Sequence, residues 1–290
     1  MATVIIYRSR SASYAANRVA KAITTGISAV QQDSYRPSRG DVIVRWDCHE
    51  ALDHAPGTVD INPLDAVLTS RDKVAARRVM GNLCPETWIS IADVQLPCVI
   101  RPRRHKEGRH FFVCRTATEV QRAIQRLRPR LGGWYASRLI DKAREFRVFV
   151  VQGRAVAVSE RFPARPSDIA WNLALGGRLI NVDKTEWPIP VVKAAIDAMG
   201  RLGLGFGAVD ACKDTEGRVW VFEANTSPAL KNKYTLKRIA IALSQADKEV
   251  PAITAGAKSW KGYIHPALRR SASTSTHQVT VPEGCAPQIV

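Results

Sequence analysis

The sequence of 290 residues lacks several features that would assign a protein class at once. No apolar run reaches the roughly 18 residues that a membrane-spanning helix needs, and residues 1–30 contain no signal-peptide core. No GxxxxGK(S/T) loop and no kinase HRD or DFG motif is present, which weighs against other common nucleotide-binding folds. We also find no internal repeat of about 20–50 residues. These absences favour a non-repetitive globular protein, which we expect to be cytoplasmic and to have no membrane partner.

Cysteine is scarce and scattered. The six cysteines form no CxxC pair and do not cluster with histidine. We therefore expect reduced thiols that are mostly buried as small apolar residues. A zinc site is the weaker alternative.

Acidic residues are also in short supply. There are 26 Asp and Glu against 43 Lys and Arg, which gives a formal net charge of +17. Such a field attracts polyanions, and nucleic acid is one of them. The basic residues are spread along the whole chain, however, without a helix-turn-helix, zinc-finger or aromatic-basic strand pattern. An acidic substrate, or several anionic ones, explains the charge equally well, and composition leaves both interpretations open.

Local patterns outline an α/β beginning. Residues 3–7 and 41–46 are predicted strands, and a helix is expected from about residue 13 to residue 23. Ser70 is the predicted N-cap of a helix over residues 71–80, which Gly81 ends.

The most informative polar residues lie in a predicted β-hairpin over residues 207–230. Two alternating apolar runs, residues 208–212 and 218–224, flank a loop at 214–217 whose Asp and Gly are turn formers. Both arms are therefore predicted strands.

One face of this hairpin is predicted to bind a metal ion. Glu223 and Asn225 share a face because strand side chains alternate. If the loop closes with even parity, Asp210 lies opposite Val221 and joins that face. Two carboxylates and an amide oxygen suit Mg²⁺, which usually shares its positions with water and phosphate oxygens. The alternative is a surface hairpin with solvated acids, but burying carboxylates within an apolar strand pattern is costly without a cation.

At these residues the sequence resembles the ATP-grasp ligases, in particular RimK-type and glutathione-synthetase-like carboxylate-amine ligases. Their metal-binding strand pair has the pattern Asp, then Glu-x-Asn-x-x-Pro-Gly, which Asp210 and residues 223–228 match. The sequence departs from the pattern at Ala229, where Gly is usual. It departs again at Ala208, where D-Ala:D-Ala ligases often have Arg, so another arginine must meet the charge of the reacting phosphate.

The resemblance covers about residues 61–243 and implies the fold class α/β plus α+β. It consists of a small N-terminal α/β domain (1–68) and an ATP-grasp domain of two α+β lobes with antiparallel sheets. The small lobe spans 69–136 and the large lobe, with the metal site, spans 137–246. Residues 247–290 are expected to form a partly flexible tail.

The resemblance also implies a set of nucleotide-binding residues. Lys73, in an Asp-Lys pair, would reach a phosphate, and Arg101 stands where the family has Lys in a Val-Lys-Pro strand end. The loop that follows, residues 103–110, is basic and has one glycine instead of being glycine-rich. Glu145 would hold the ribose hydroxyls, and the adenine pocket would be lined by Arg138, Leu139 and Ile140. Without the order of motifs, each charged residue here would be interpreted as a solvated side chain.

The implied activity is amide or peptide bond formation from a carboxylate and an amine through an acyl phosphate. ATP and Mg²⁺ would be the cofactors, and Asp210, Glu223 and Asn225 would hold the metal ion. Arg161 would stabilise the transferred phosphate, Asn172 would orient it or the acceptor, and Arg147 would face the active site. Expected partners are ATP and small-molecule or peptide carboxylates and amines, with a possible homo-oligomer. The alternatives are a basic nucleic-acid-binding protein with an inactive ATP-grasp frame and an ATP-grasp kinase.

Overall fold

The structure is a computed structural model of the chain. It describes residues 4–10, 13–22, 27–31, 35–105, 110–127, 132–171, 175–230 and 232–246. Asn172 and the predicted tail at 247–290 lie outside the described residues. The described strands form three sheets of four, five and four strands.

The N-terminal sheet is parallel, as expected of an α/β domain. Its strands are β1 (Val4–Arg8), β2 (Ile27–Gln31), β3 (Val42–Trp46) and β4 (Val59–Asp60), in the order β2-β1-β3-β4. Helix α1 (Ser13–Ala22) connects β1 to β2. Strands β1 and β3 were predicted, whereas β2 and β4 were not. The polar residues of β2 and the two-residue length of β4 give little of the apolar alternation that marks a strand.

The connection to the second sheet contains two helices instead of the one predicted. These are α2 (Leu64–Arg71) and α3 (Lys73–Met80). The expectation that Ser70 is the N-cap is wrong, because the Asp72 side chain accepts hydrogen bonds from the backbone N–H groups of Val74 and Ala75. Ser70 lies within α2 and donates its hydroxyl to the carbonyl oxygen of Ala224 at 2.9 Å. Both Ser and Asp are good caps, so the sequence alone did not separate them.

The small lobe is a four-stranded antiparallel sheet covered by one helix. Its elements are β5 (Thr87–Trp88), β6 (Cys98–Pro102), β7 (Phe112–Cys114), α4 (Ala117–Leu127) and β8 (Trp134–Arg138), and the strand order is β5-β8-β6-β7. The predicted inward face of α4, which includes Val120 and Leu127, packs on Cys98, Ile100 and Ala136. The small lobe therefore has a hydrophobic core of its own.

The large lobe is a five-stranded antiparallel sheet. Its elements are β9 (Lys142–Val151), β10 (Arg154–Phe162), β11 (Arg178–Asn181), α5 (Ile189–Arg201), β12 (Phe206–Asp214), β13 (Val219–Asn225) and α6 (Lys233–Ser244), and the strand order is β11-β10-β9-β12-β13. Helices α5 and α6 pack on the sheet and bury its apolar residues. The polar residues of the central strands are left for the cleft.

The N-terminal domain is joined to the large lobe through a buried asparagine. Asn62 has no exposed surface, and it donates to the Phe206 carbonyl at 2.9 Å and accepts from the Phe206 N–H at 2.9 Å. The rings of Trp46 and Phe206 lie 4.7 Å apart, centroid to centroid. A Cβ added at Gly205 would lie 2.4 Å from the Ile61 carbonyl oxygen, so the close approach of the two chains requires glycine. These contacts hold the N-terminal domain against the start of β12, which carries Asp210.

Two expectations from composition can be compared with the described residues. Their five cysteines are all buried and free, as expected of reduced thiols. None of their helices is both long enough and apolar enough to cross a membrane. The predicted fold class of an α/β domain followed by two α+β lobes with antiparallel sheets is confirmed.

Candidate active site

The predicted metal-binding hairpin is formed by β12 and β13, with a different register from the one expected. Asp210 lies opposite Glu223, whereas Ala211 lies opposite Val221. The predicted pairing of Asp210 with Val221 is therefore wrong, because a β-bulge leaves Phe222 as an extra residue on β13. The bulge brings the two carboxylates directly across from each other.

Asp210 lies at the centre of a buried cluster of ion pairs. Arg147 on β9 donates two hydrogen bonds to its carboxylate at 2.7 and 2.8 Å, and Arg161 on β10 donates a third at 3.1 Å. Arg161 also donates to Glu145 on β9. Burial alone would raise the pKa of Asp210, but the guanidinium groups of Arg147 and Arg161 outweigh it and lower that pKa. Asp210 is therefore ionised at neutral pH.

Glu223 is paired with groups from a different part of the chain. Its carboxylate lies 3.5 Å from the Nζ atom of Lys73, at the start of α3, and accepts a hydrogen bond from the Asn225 amide at 3.1 Å. Burial would raise its pKa, but the charge of Lys73, followed by that of the His105 and Arg101 pair, holds the pKa well below the usual range. Lys73 is itself buried, so the pair joins α3 to the sheet of the large lobe.

Arg101 approaches the same region from the small lobe. It donates to Nδ1 of His105 at 2.9 Å, and the His105 ring stacks on Tyr135 of β8, with Nε2 lying 3.4 Å from its hydroxyl. Because a guanidinium only donates, Nδ1 is the acceptor and the ring is neutral. Burial, followed by the charge of Arg101, lowers the pKa of His105 to about 3. His105 was not among the predicted site residues, since one histidine in a basic loop gives no distinctive signal.

Lys142 is a second site residue that the sequence analysis missed. It forms an ion pair with Glu145, and its ammonium group lies 4.4 Å from the ring centroid of Trp171 and 5.9 Å from that of Phe222. A register irregularity at Asp214, which pairs with Lys142, follows the regular pairing of β9 with β12. Strict alternation from Glu145 would place Lys142 on the opposite face, so the periodicity concealed it.

The predicted adenine-binding residues lie in the connection between β8 and β9. Arg138 is exposed, and its backbone N–H donates to the Glu86 carbonyl at 3.0 Å. Leu139 and Ile140 are half-buried, and the Leu139 N–H donates to Pro97 at 3.2 Å. Within the described ranges, no side-chain contact joins these three residues to the carboxylate cluster. The structure thus brings together the predicted residues Lys73, Arg101, Glu145, Arg147, Arg161, Asp210, Glu223 and Asn225.

The charges in this cleft suit an anionic ligand that arrives with a metal ion. Five cationic side chains, those of Lys73, Arg101, Lys142, Arg147 and Arg161, surround the carboxylates of Glu145, Asp210 and Glu223. The described residues contain no group of three or more His, Cys, Asp and Glu placed to bind a metal. The facing oxygens of Asp210 and Glu223, with the amide of Asn225, are nevertheless hard donors of the kind that Mg²⁺ prefers when phosphates complete its shell.

The three sheets and the cationic cleft between the small lobe and the large lobe define the ATP-grasp class of proteins. Within that class, residues 24–243 match a family model described as an ATP-grasp domain, the third family of its clade. The match covers more than half of the chain, so the protein belongs to this ATP-grasp family.

Curated relatives are bacterial proteins named probable alpha-L-glutamate ligase. The protein from Xanthomonas oryzae pv. oryzae (strain MAFF 311018) is 27% identical over 190 residues, which cover 60% of this chain and 63% of the relative. The one from Xylella fastidiosa (strain M12) is 26% identical over 190 residues, or 60% of this chain and 62% of the relative. The chain thus spans somewhat under two thirds of the length of the curated relatives it matches.

Solved structures with the same fold include two ligases. VanG D-Ala:D-Ser ligase from Enterococcus faecalis has a TM-score of 0.58 and 13% identity, with 84% of this chain and 97% of that chain covered. The ATP-grasp ligase PsnB, complexed with a minimal precursor, has a TM-score of 0.58 and 13% identity, with 84% and 100% covered. At this identity the likeness concerns the fold alone. Neither the family match nor these neighbours support the alternative of a nucleic-acid-binding protein or the expected homo-oligomer.

Proposed function

We propose that this protein is an ATP- and Mg²⁺-dependent ligase that joins a carboxylate to an amine through an acyl-phosphate intermediate. The observation that carries the proposal is the facing pair Asp210 and Glu223, held within a shell of lysine and arginine from both lobes. A purely structural ion-pair network would not need an excess of cations around two opposed carboxylates. The excess positive charge suits the phosphates of a bound nucleotide.

Nucleotide binding is assigned to groups from both lobes. Lys73 and Arg101 would contact the phosphates, with Arg101 using its fork of N–H donors in place of the usual lysine. Leu139 and Ile140, with the backbone of Arg138, would line the adenine pocket, and Glu145 would accept from the ribose hydroxyls. The structure supports this division because Lys73 and Arg101 both act electrostatically on Glu223, whereas the β8–β9 connection lies apart.

Asp210, Glu223 and Asn225 would hold Mg²⁺. When bound, the ion would neutralise charge on the phosphate oxygens and fix their orientation. In its absence the two carboxylates remain ionised, because Arg147, Arg161 and Lys73 lower their pKa values. The ligand oxygens are therefore already charged and aligned before the ion arrives, which limits the reorganisation needed on binding.

The reaction would proceed in two balanced steps. A substrate carboxylate oxygen attacks the γ-phosphorus of ATP, ADP leaves, and an acyl phosphate is formed. The amine nitrogen then attacks the acyl carbon, phosphate leaves, and the amine gives up a proton. Arg161 and Arg147 would stabilise charge on the transferred phosphoryl group, and Asn172 would orient it or the acceptor. The protein would act mainly by positioning groups and neutralising charge.

The substrates are proposed to be amino acids or peptides. The names of the curated relatives make glutamate the first compound to test, as the acid or as the amine. The buried, free cysteines are consistent with a cytoplasmic location.

The test combines ligand binding with turnover. A ligand that binds only the native state stabilises it by about 2.7 kcal/mol at a hundredfold excess over Kd. We expect Mg-ATP to raise the melting temperature of the wild type and of Glu216→Ala, a control in the exposed hairpin turn, but not that of Glu223→Ala. ADP release should then depend on adding both an acid and an amine. An equal, magnesium-dependent shift in Glu223→Ala would refute the metal assignment, and phosphate retained on the product would indicate a kinase.

A further inference from the structure

A second strongly basic cavity lies outside the cluster of Asp210 and Glu223. It has a volume of about 360 Å³ and is bounded by α3, the segment that leads into β5, the end of β8 and the start of β13. Four arginines line it, Arg77, Arg78, Arg138 and Arg218, and the one acidic residue among its lining is Glu86. None of the residues assigned to the metal ion or the phosphates contributes to this cavity.

Two of these arginines are not neutralised by the protein. Arg78 and Arg138 are exposed, and no ion-pair partner is found for either side chain among the described residues. Arg77 is buried and anchored, because it donates to the Thr87 hydroxyl at 3.1 Å and to the Phe222 carbonyl at 3.3 Å. The cavity therefore has one fixed guanidinium at its inner side and two others available to a ligand.

Arg218 is held in place by the hairpin turn. Its guanidinium carbon lies 3.7 Å from the ring centroid of Trp220, and the Trp220 indole donates to Asp214 at 2.7 Å. Asp214 also accepts from the Arg218 backbone N–H at 2.7 Å. Stacking on a fixed indole keeps the side chain ordered and leaves the edge of its guanidinium group accessible, so less rotamer entropy is lost when an anion binds.

The shape of the cavity distinguishes between anions. The arginines come from three separate elements, and the cavity is bordered by β5 and β13, which are the end strands of their sheets. Val74, Ile89 and Trp220 add apolar surface. A compact phosphate would use few of these groups. An extended chain that carries several carboxylates and apolar stems would contact all of them, because each guanidinium matches one carboxylate.

We propose that this cavity binds an acidic peptide segment through carboxylates that pair with Arg78, Arg138 and Arg218. The site is additional to the nucleotide cleft, and its existence does not depend on the proposed ligase activity.

The test measures binding of a fluorescein-labelled hexaglutamate peptide to the full chain by fluorescence anisotropy. The double variant Arg78→Ala/Arg218→Ala should weaken binding about tenfold or more, since charged hydrogen bonds of this kind are lost. The matched control is Arg122→Ala/Arg126→Ala, which removes the same charge from the exposed face of α4. Melting temperatures of both double variants check the fold, and Arg78→Ala alone is the reserve variant if the double variant is unstable.

A selective loss of binding in the cavity variant, unaffected by a saturating magnesium complex of a non-hydrolysable ATP analogue, would support the proposal. Equal losses in the cavity and control variants would assign the binding to the general positive charge of the chain and overturn it. Displacement of the peptide by the ATP analogue would place the peptide in the nucleotide cleft, with the same consequence. Binding of inorganic tripolyphosphate without any binding of hexaglutamate would also refute the proposal.

Discussion

Replacement of Asp210 by asparagine tests how the site is held together. The carboxylate is 4% exposed and accepts three hydrogen bonds from Arg147 and Arg161, whose side chains are 12% and 7% exposed. Removing one member of a buried ion pair costs about 3–5 kcal/mol. Glu145 still neutralises part of the charge of Arg161, so we expect Asp210→Asn to lose about 2–3 kcal/mol at pH 7. At about 2–4 °C for each kcal/mol, the melting temperature should fall by about 4–12 °C.

The pH dependence of this loss has a definite sign. Since the folded-state pKa of Asp210 is lowered, its contribution to stability is fully present above the unfolded pKa of about 3.9 and is lost as the pH falls through the folded value. The difference between wild type and Asp210→Asn should therefore shrink below about pH 4. The measurement is thermal unfolding from pH 3 to pH 8, with Asp197→Asn, a surface pair with Arg201, as the control. The reasoning would fail if Asp210→Asn were as stable as the wild type at pH 7, or if the difference did not change with pH.

Three further predictions follow from other contacts. The pKa of His105 is lowered to about 3, so folding is opposed as the pH falls from about 6.5; urea unfolding of His105→Gln should lack that part of the decline, up to about 1.4 kcal/mol per pH unit. Asn62→Ala removes both hydrogen bonds to Phe206 and should cost about 2–4 kcal/mol of unfolding free energy, while the Mg-ATP shift is retained. Asp72→Ala removes the N-cap of α3, which should cost about 1–2 kcal/mol and weaken the Mg-ATP shift, because Lys73 begins that helix.

Each of these predictions has a control and a contrary outcome. Gln121→Ala, on the exposed face of α4, should leave stability within about 0.5 kcal/mol and serves as the reference for Asn62→Ala and Asp72→Ala. An unchanged pH profile in His105→Gln would show that the ring is not held neutral by burial. If Asn62→Ala abolished the Mg-ATP shift, the junction of the domains would be part of the binding site. If Asp72→Ala left the shift unchanged, Lys73 would not depend on its cap.

The sequence by itself determined the central elements of the large lobe and the identity of its polar residues. Alternation in residues 208–212 and 218–224 predicted two strands, and the order of Asp, Glu and Asn along them predicted the shared face. These signals are local, because the two-residue period of a strand decides which side chains share a face. The helical periodicity of α4 and the proline at the start of α5 were equally sufficient.

Only the tertiary structure decided which groups meet. The bulge at Phe222 placed Glu223 opposite Asp210, and no residue preference announces a bulge at that position. The partners of Asp210 come from β9 and β10, 63 and 49 residues away, and the partner of Glu223 comes from α3. Lys142 and His105 joined the site through a register irregularity and a stacked ring. Such pairings depend on strand order and on the docking of one lobe against the other. Local sequence patterns carry no record of either, because they report only neighbours along the chain.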